Sequence, residues 1–410
     1  MNRIRMKNQS RIVSAALAAL MLLPLLSGCA VFDYVFGSGT TAAPDDTSAP
    51  EVTRTPEVTT SPDTGTGAVS DVTTEDVTQP PAVTAEDTKP GPVIYYNDPL
   101  TGLRTEKNVT GVRPVAIIVD NLSAAAPQSG LSRADILIEC MVESGISRLI
   151  LITNKYESNE AYGPVRSARD YIVSLSQAFG TLLIGAGYSP TAYTAISESG
   201  MDYIDGVHDR YAMSGFFRDP ERYSAAGYEH SLMISGQGIK ALAAHNDYTL
   251  AASGVSVPFT FSDAPAIAGS DATHAVLTYS AYQQVQLIYS KKDNAYYRYQ
   301  YGTKAHLDAE TGEQLNFANV FILFADQQKI PEDTEGRISV AVSGSGTGYF
   351  LTGGKYIPIN WTRGEGLTSP FAFTTSDGGK FTVSRGKTFI AVVDSALRGT
   401  SSINLNYKLG

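Results

Sequence analysis

The stretch ADILIECMVESGISRLILIT, Ala134 to Thr153, decides the fold. Its two apolar runs, ADILIECMV and SRLILIT, each have the length of a buried strand, and the residues ESG between them are typical of a turn. A third apolar run, PVAIIVD, precedes them and ends in Asp120 and Asn121, which fits a buried strand that leads into a polar loop. Three such runs in succession predict a buried sheet.

Helical patterns follow these strands. Val165–Gly180 carries apolar side chains at three- and four-residue spacing, and Ser189–Gly200 and Ser235–Asp247 each begin with a capping serine. The apolar run Thr181–Gly187 between the first two has the length of a strand. Helices that alternate with apolar strands are typical of α/β proteins, so residues 93–248 are predicted to form an α/β domain with a mixed sheet.

Beyond a predicted connection at 249–270, the pattern changes to strands and turns. VQLIYS and AYYRYQYG flank the turn KKDN and predict a hairpin, whose alternating tyrosines share one face: Tyr297, Tyr299 and Tyr301. GSGTG, Gly344–Gly348, is interpreted as a turn between strands. Residues 271–410 are therefore predicted to form a second, mainly antiparallel β domain.

The N-terminus has the pattern of an export signal. Four basic residues precede the apolar run IVSAALAALMLLPLL, which is too short for a comfortable membrane span, and LSGC follows it at Leu26–Cys29. LSGC is similar to a bacterial lipobox, so residues 1–28 are predicted to be a lipoprotein signal peptide. Cys29 is predicted to carry the diacylglyceryl anchor, which holds the protein on the extracytoplasmic face of the membrane. The alternative is an ordinary signal peptide or an uncleaved anchor.

Residues 29–92 are predicted to be a lipidated start followed by a disordered tether. From Ser38 to Pro92 the chain has ten acidic residues, only Arg54 and Lys89 as basic ones, and no aromatic residue. Such a segment cannot bury enough surface to fold. The remainder from Val93 is also acidic overall, which argues against nucleic acid as a partner.

Familiar catalytic and cofactor motifs are missing from the sequence. IGAGYSP is similar to the start of a dinucleotide fingerprint, but Pro190 stands where the third glycine belongs, and a tight turn explains the other two. Five histidines lack the spacing of metal ligands, so neither a metal nor a cofactor is predicted. His245 and His306 are interpreted as surface residues, and Cys140 as a small buried hydrophobe.

The charged residues of the first domain form the candidate binding site. If ADILIECMVESG is one strand, Glu139 and Glu143 project from the same face, and cations must lie near them. Arg148 opens the next strand, while Arg166 and Arg169 are predicted to open a helix. One interpretation is a structural arginine and glutamate network. The other is a polar cleft at strand ends, where the two helix arginines bind a carboxylate or phosphate.

Six motifs, in this order along the chain, resemble those of the YerB-like lipoproteins of Gram-positive bacteria: NDPLTG, RPVAIIVDN, PQSGLSRADILIE, VESGISRLILI, GPVRSARDYIVSLSQAFG and GAGYSP. This family has a two-part domain of unknown function, and the resemblance implies an exported, lipid-anchored protein. It emphasises thirteen positions: Asp120, Asn121, Gln128, Ser129, Gly130, Glu139, Glu143, Arg148, Gly163, Pro164, Arg166, Ser167 and Arg169. A later motif maps onto Phe217, Arg218, Arg222 and His230, with Ser231 where the family has asparagine.

Three functions are compatible with these patterns. The leading hypothesis is a binding module of the cell envelope that recognises a wall glycopolymer, a peptidoglycan carboxylate or an acidic protein partner. Its candidate residues are Asp120, Asn121, Glu139, Glu143, Arg148, Arg166, Arg169, Arg218 and His230. The second is an envelope hydrolase or transferase that uses Glu139 or Glu143 with His230. The third is a structural interaction module whose contact face is the tyrosine-rich sheet.

Overall fold

A computed structural model describes residues 93–252, 257–263 and 267–404. Cys29 and the predicted signal peptide and tether lie outside these residues. As far as residue 248, the chain forms the following helices and strands: β1 (Tyr96–Asn97), β2 (Arg104–Thr105), β3 (Val115–Asp120), β4 (Ile136–Met141), β5 (Ser147–Thr153), α1 (Asp170–Gln177), β6 (Leu182–Gly185), α2 (Pro190–Ser199), β7 (Tyr203–Asp205), β8 (Phe216–Arg218), α3 (Pro220–Ala226), β9 (Leu232–Ile234) and α4 (Gly236–His245).

The rest of the described chain consists of strands and turns. Its strands are β10 (Phe261–Ser262), β11 (Ser270–Asp271), β12 (His274–Thr278), β13 (Gln284–Ser290), β14 (Ala295–Gln300), β15 (Lys304–Ala305), β16 (Asn316–Phe317), β17 (Asn319–Ala325), β18 (Gln327–Lys329), β19 (Ile338–Val340), β20 (Gly344–Thr352), β21 (Lys355–Arg363), β22 (Phe371–Thr375), β23 (Val383–Ser384), β24 (Thr388–Asp394) and β25 (Ser402–Asn404). The predicted mixture of helices and many strands is thus confirmed.

One eleven-stranded mixed sheet runs through both predicted domains. Its strand order is β11-β21-β20-β17-β24-β4-β5-β3-β6-β7, with β22 paired to β21. Strand β24 is parallel to β4 on one side and to β17 on the other, and Ile390 pairs with Ile138. The division into 93–248 and 271–410 stays a prediction, and the hydrogen bonds of this sheet cross it.

The central sheet is buried on both faces. Leu137 and Met141 of β4 point into a core with α4 and with a second sheet, whose strand order is β15-β14-β13-β12-β25 with β16 beside β14. Ile138 and Cys140 point the opposite way, into a core with α1 and α2. Successive side chains of β4 point to opposite faces of the sheet. Because both faces are buried, the segment is a nearly continuous apolar run in the sequence.

The carboxyl ends of six strands meet at one edge of this sheet. Strands β3, β6 and β7 are parallel to one another, as are β4, β17 and β24. Since β5 is antiparallel to both β3 and β4, the two groups of strands run in the same direction. The loops that follow all six strands therefore collect at this edge, which we call the carboxyl edge.

Two local predictions are wrong. Helix α1 begins only at Asp170, because the preceding residues are extended: Val165 bridges Val119, and the Arg166 amide donates to the Ile118 carbonyl at 2.9 Å. The glycines of GSGTG form the start of strand β20 and not a turn. A Cβ on Gly346 would lie 2.6 Å from the Trp361 ring, so glycine is needed there for the ring to pack against the backbone.

The helix termini were better predicted. Ser189 caps α2 by accepting from the Ala192 amide, with Pro190 in the first turn, and Ser235 caps α4 by accepting from the Gly238 amide. Within the described part of the chain, no helix has both the length and the apolar character needed to span a membrane.

Candidate functional site

Asp120 is the residue at which polar contacts of the carboxyl edge meet. It ends β3, and its Oδ1 accepts from the Leu122 amide at 2.9 Å. Its Oδ2 lies 2.8 Å from His230 Nδ1 and 3.4 Å from Arg166 Nε. An ionised carboxylate can only accept, so His230 Nδ1 carries the proton that it donates to Asp120. The carboxylate therefore fixes the orientation of the His230 ring.

Glu143 binds two arginines in a largely buried cluster. Arg169 donates to both of its oxygens, with Nε 3.0 Å from Oε2, and Arg148 Nη2 lies 3.6 Å from Oε1. Burial tends to raise the pKa of Glu143, but the hydrogen bonds and charge of Arg169 outweigh it and hold that pKa below its ordinary value. The side chains of Arg148 and Arg169 are only 4% and 8% exposed.

Both arginines also donate to the segment that precedes α1. Arg169 Nη1 donates to Ser167 Oγ at 3.0 Å and to the Ala168 carbonyl at 2.9 Å. Arg148 Nη1 donates to the Ser167 carbonyl. Both arginines thus hold the extended segment before α1 against the sheet, which is the structural network that the sequence suggested.

Arg166 and Arg218 line an open cavity of about 210 Å³ at the carboxyl edge. The walls are formed by nine residues: Val165, Arg166, Ser167, Ala186, Val207, Arg218, Tyr228, Glu229 and Leu232. Arg166 Nη1 lies 3.4 Å from the Glu229 carboxylate, whose side chain is 72% exposed. This second ion pair of Arg166 is therefore weak and accessible to solvent.

Arg218 has no carboxylate within ion-pair distance anywhere in the described ranges. Its Nη1 donates to the Tyr228 carbonyl at 2.6 Å, and its guanidinium lies 3.6 Å from the centre of the Tyr228 ring. The hairpin of β8 and β9 and the short helix α3 carry Arg218, Tyr228 and His230 to this place. Arg218 is consequently a cation whose charge is not neutralised by a neighbouring acid.

A second aspartate and histidine pair lies beside Val207, another residue of the cavity wall. Asp205 ends β7, and its Oδ1 accepts from the amides of Gly187 at 2.7 Å and Val207 at 2.9 Å. Its Oδ2 lies 2.6 Å from His208 Nδ1, and the His208 ring stacks on Tyr188 with centroids 4.7 Å apart. The sequence patterns did not identify Asp205, although it ends a strand three residues before His208.

Glu139 lies on the opposite face of the sheet from Glu143's arginines. Its Oε2 is 2.7 Å from Arg298 Nη2, and both side chains are fully buried. The prediction that Glu139 and Glu143 project together is wrong, because β4 ends at Met141 and Glu143 lies in the following turn. Each glutamate therefore has its own arginine partner.

Glu139 belongs to a buried polar network that also includes Asn121. Asn121 Nδ2 donates to Glu139 Oε1 at 3.0 Å and to Ser147 Oγ at 2.9 Å, while Gln283 Nε2 lies 3.2 Å from the same glutamate oxygen. Neither Asn121 nor Glu139 lines the cavity. Their contacts support the core beneath the carboxyl edge.

His306 connects this network to Asp120. Its Nδ1 accepts from Arg298, and its Nε2 donates to Gln128 Oε1 at 2.8 Å. Gln128 Nε2 in turn donates to the Asp120 carbonyl at 2.9 Å. Burial, with the charge of Arg298, lowers the pKa of His306 well below its ordinary value. The prediction of a surface His306 is wrong, since only 1% of the residue is exposed.

Sequence reasoning missed Arg298 and His306 as partners of the site. One signal could have found Arg298: it alternates with the predicted face of Tyr297 and Tyr299, so it must share the opposite, buried face with Tyr296. A charged residue on a buried face requires a charged partner. No pattern near Glu139 indicated that this partner would come from the second half of the chain.

The nine candidate binding residues fall into two groups in the structure. Asn121 and Glu139 belong to the buried network beneath the carboxyl edge. Seven lie at the carboxyl edge: Asp120, Glu143, Arg148, Arg166, Arg169, Arg218 and His230.

Cys140 is fully buried, as predicted, and burial raises the pKa of its thiol to about 12, although Arg148 lies directly opposite in the neighbouring strand. Over the ranges described, no three histidine, cysteine or acidic side chains are placed to hold a metal ion.

A mixed sheet with helices packed against it and an open cavity at its carboxyl edge defines the class of the protein as α/β. The chain belongs to the family whose two models are described as "Protein of unknown function (DUF3048)", the N-terminal domain matching residues 100–249 and the C-terminal domain residues 275–390. It is 33% identical over 311 residues to "Putative lipoprotein YerB" of Bacillus subtilis (strain 168), which covers 75% of this chain and 89% of that protein.

A solved structure agrees with this assignment. The crystal structure of YerB from Bacillus subtilis matches with a TM-score of 0.65 and 31% identity, over 75% of this chain and 99% of that chain. The family resemblance seen in the N-terminal motifs is confirmed.

Proposed function

We propose that this protein is a membrane-anchored, extracytoplasmic lipoprotein that binds an anionic group in the cavity between Arg166 and Arg218. The lipobox-like LSGC ending at Cys29 and the lipoprotein named among its relatives support the anchor. The cavity supports the binding role. A protein anchored at this place in the cell envelope has three candidate ligands: a wall glycopolymer, a peptidoglycan carboxylate and an acidic protein.

The proposal rests on a difference among four arginines: the charges of two are neutralised by a largely buried glutamate, and those of the other two are not. Arg148 and Arg169 are buried against Glu143, so they hold the scaffold and cannot turn toward a ligand. Arg166 meets an exposed Glu229, and Arg218 meets no acid in the described chain. A carboxylate or phosphate that enters the cavity can displace Glu229 and bridge the two guanidinium groups, which favour planar, bidentate contacts.

Binding of the full chain, in detergent, to purified wall fragments tests the proposal. Arg166→Ala and Arg218→Ala should each weaken binding by about tenfold or more, because each removes charge-assisted hydrogen bonds worth about 1.5–3 kcal/mol. Arg104→Ala is the matched control, since Arg104 is exposed, stacks on Tyr95 and lies outside the cavity. Binding that is equal in all three variants would refute the site.

The Asp120 and His230 pair supports a second candidate function, an envelope hydrolase or transferase with His230 as general base. A carboxylate that holds a histidine by Nδ1 leaves Nε2 as the basic atom, and His230 shares Asp120 Oδ2 with Arg166, which lines the cavity. Glu139 and Glu143 are bound to arginines and are not assigned this role. Product release from wall fragments that His230→Gln abolishes, and His245→Gln does not, would support it. Release that both variants retain would rule it out.

A further inference from the structure

Aromatic side chains form an exposed lip on one side of the cavity. Tyr228 belongs to the cavity wall and is 62% exposed, and Tyr223 beside it is 53% exposed, large values for side chains of this size. The rings of Tyr223 and Tyr228 meet edge to face at 6.2 Å, and the Arg218 guanidinium stacks on Tyr228. This lip therefore continues directly from the cationic wall of the cavity.

A second aromatic lip lies near Val207, which is 57% exposed and forms part of the cavity wall. Val207 and His208 both lie within 4 Å of the position that a Cβ on Gly187 would take. Tyr188 stacks on His208, and Tyr193, which is 53% exposed, packs on Tyr188 at 5.2 Å. Exposed apolar groups gathered beside a polar cleft are typical of an interaction site.

The order of apolar and charged groups distinguishes between two kinds of ligand. A protein interface has an apolar centre and a polar rim. Here the centre is charged, with Arg166, Arg218 and Glu229, and the rims are aromatic. A polysaccharide suits this order, because each sugar ring has an apolar C–H face that packs on an aromatic ring and a hydroxyl edge that forms hydrogen bonds.

We propose that the anionic ligand is a polysaccharide: one acidic sugar unit, with a carboxylate or phosphate, occupies the cavity, and its neighbours stack on the two lips. The inference rests on the proposed function. At about 210 Å³ the cavity is smaller than sites for drug-sized molecules, which begin at about 300 Å³, so it has room for a single unit. The hydroxyl of Ser167 and the carboxylate of Glu229 are available to its hydroxyl groups.

Affinity measurements on the full chain with four defined probes test the inference. Alginate supplies sugar rings with carboxylates, phosphomannan supplies sugar rings with phosphates, polyglutamate supplies carboxylates without sugar rings, and dextran supplies neutral sugar rings. We expect alginate or phosphomannan to bind at least about tenfold more tightly than polyglutamate and dextran. Tyr223→Ala and Tyr193→Ala should each weaken that binding by about fivefold to tenfold, corresponding to about 1–1.4 kcal/mol.

Tyr282→Ala is the matched control, because Tyr282 is 83% exposed and outside the cavity walls. It should leave the affinity for the acidic polysaccharide unchanged. Equal binding of polyglutamate and alginate, both sensitive to Arg166→Ala and insensitive to the lip tyrosines, would overturn the polysaccharide inference and keep the anion site. Binding of none of the probes, or binding unaffected by Arg166→Ala, would overturn both.

Discussion

Arg298 Nη2 lies 2.7 Å from Glu139 Oε2 in a fully buried ion pair that links strand β14 to strand β4. Arg298 also donates to Gln300 Oε1 at 2.9 Å, and Glu139 accepts from Ser147 at 2.6 Å. These additional hydrogen bonds replace many of the hydrogen bonds with water that the two charged groups lost on burial. The pair therefore fixes the second sheet on the central one.

Arg298→Met should destabilise the protein by about 3–5 kcal/mol, because it leaves the Glu139 carboxylate buried without a cation. The double variant Glu139→Gln with Arg298→Met should recover much of this loss, since the amide keeps an acceptor for Asn121 without carrying charge. Unfolding in urea measures both free energies. A single variant as stable as the double one would contradict the assignment of the pair.

His306 should make the protein less stable as the pH falls from about 7 to 5. Its pKa in the folded protein is well below the ordinary value of about 6.5, so the unfolded chain binds a proton that the folded protein does not. The contribution is fully favourable above pH 6.5 and decreases as the pH falls toward the folded pKa. Urea unfolding across this range should show a shallower slope for His306→Asn. A slope for His306→Asn equal to that of the unmodified protein would contradict this assignment.

Arg169→Ala and Arg166→Ala should affect different properties. Loss of Arg169 removes the two-point partner of Glu143 and should cost about 3 kcal/mol of unfolding free energy. Loss of Arg166 removes contacts of 3.1–3.4 Å to Asp120 and to Glu229, whose side chain is exposed, and should cost about 1 kcal/mol while weakening ligand binding. Equal loss of stability in both variants would mean that Arg166 is also part of the scaffold.

Gly346→Ala should destabilise the protein by about 1–3 kcal/mol, because the new methyl group overlaps the Trp361 ring. Gly111→Ala is the control, since no heavy atom lies within 4 Å of the Cβ position there. Thermal unfolding of the two variants provides the comparison. A similar melting temperature for both would show that the ring can move away at little cost.

Cys29→Ser should abolish incorporation of a labelled fatty acid in the producing cell, whereas Cys140→Ser should leave the label in place. These are the two cysteines of the chain, and Cys140 is buried in the core. Label that persists in Cys29→Ser would refute the predicted anchor.

Local patterns predicted the elements more reliably than their partners. The apolar runs of β3, β4 and β5 and the serine caps of α2 and α4 follow from neighbouring residues, and the structure contains all of them. The start of α1 could not be predicted, because the residues before it pair with strands distant in sequence. The same holds for GSGTG, whose conformation depends on Trp361.

The candidate site shows this limit most clearly. Asp120, Arg166 and His230 were identified from their residue types and positions, and they do meet. The partner of Glu139 was not identifiable, since Arg298 lies 159 positions away and nothing periodic links them. Which arginines hold the scaffold and which face solvent depends on burial, and burial is set by the complete sheet.

The position of β24 has a consequence for how the chain matures. Because this strand inserts between β4 and β17, the edge of β4 stays unpaired until Thr388–Asp394 have been synthesised and have joined the sheet. Unpaired apolar edges invite pairing with other chains. A newly made chain can therefore pair wrongly with other chains until β24 is in place, and a truncation before Thr388 leaves the edge of β4 unpaired permanently.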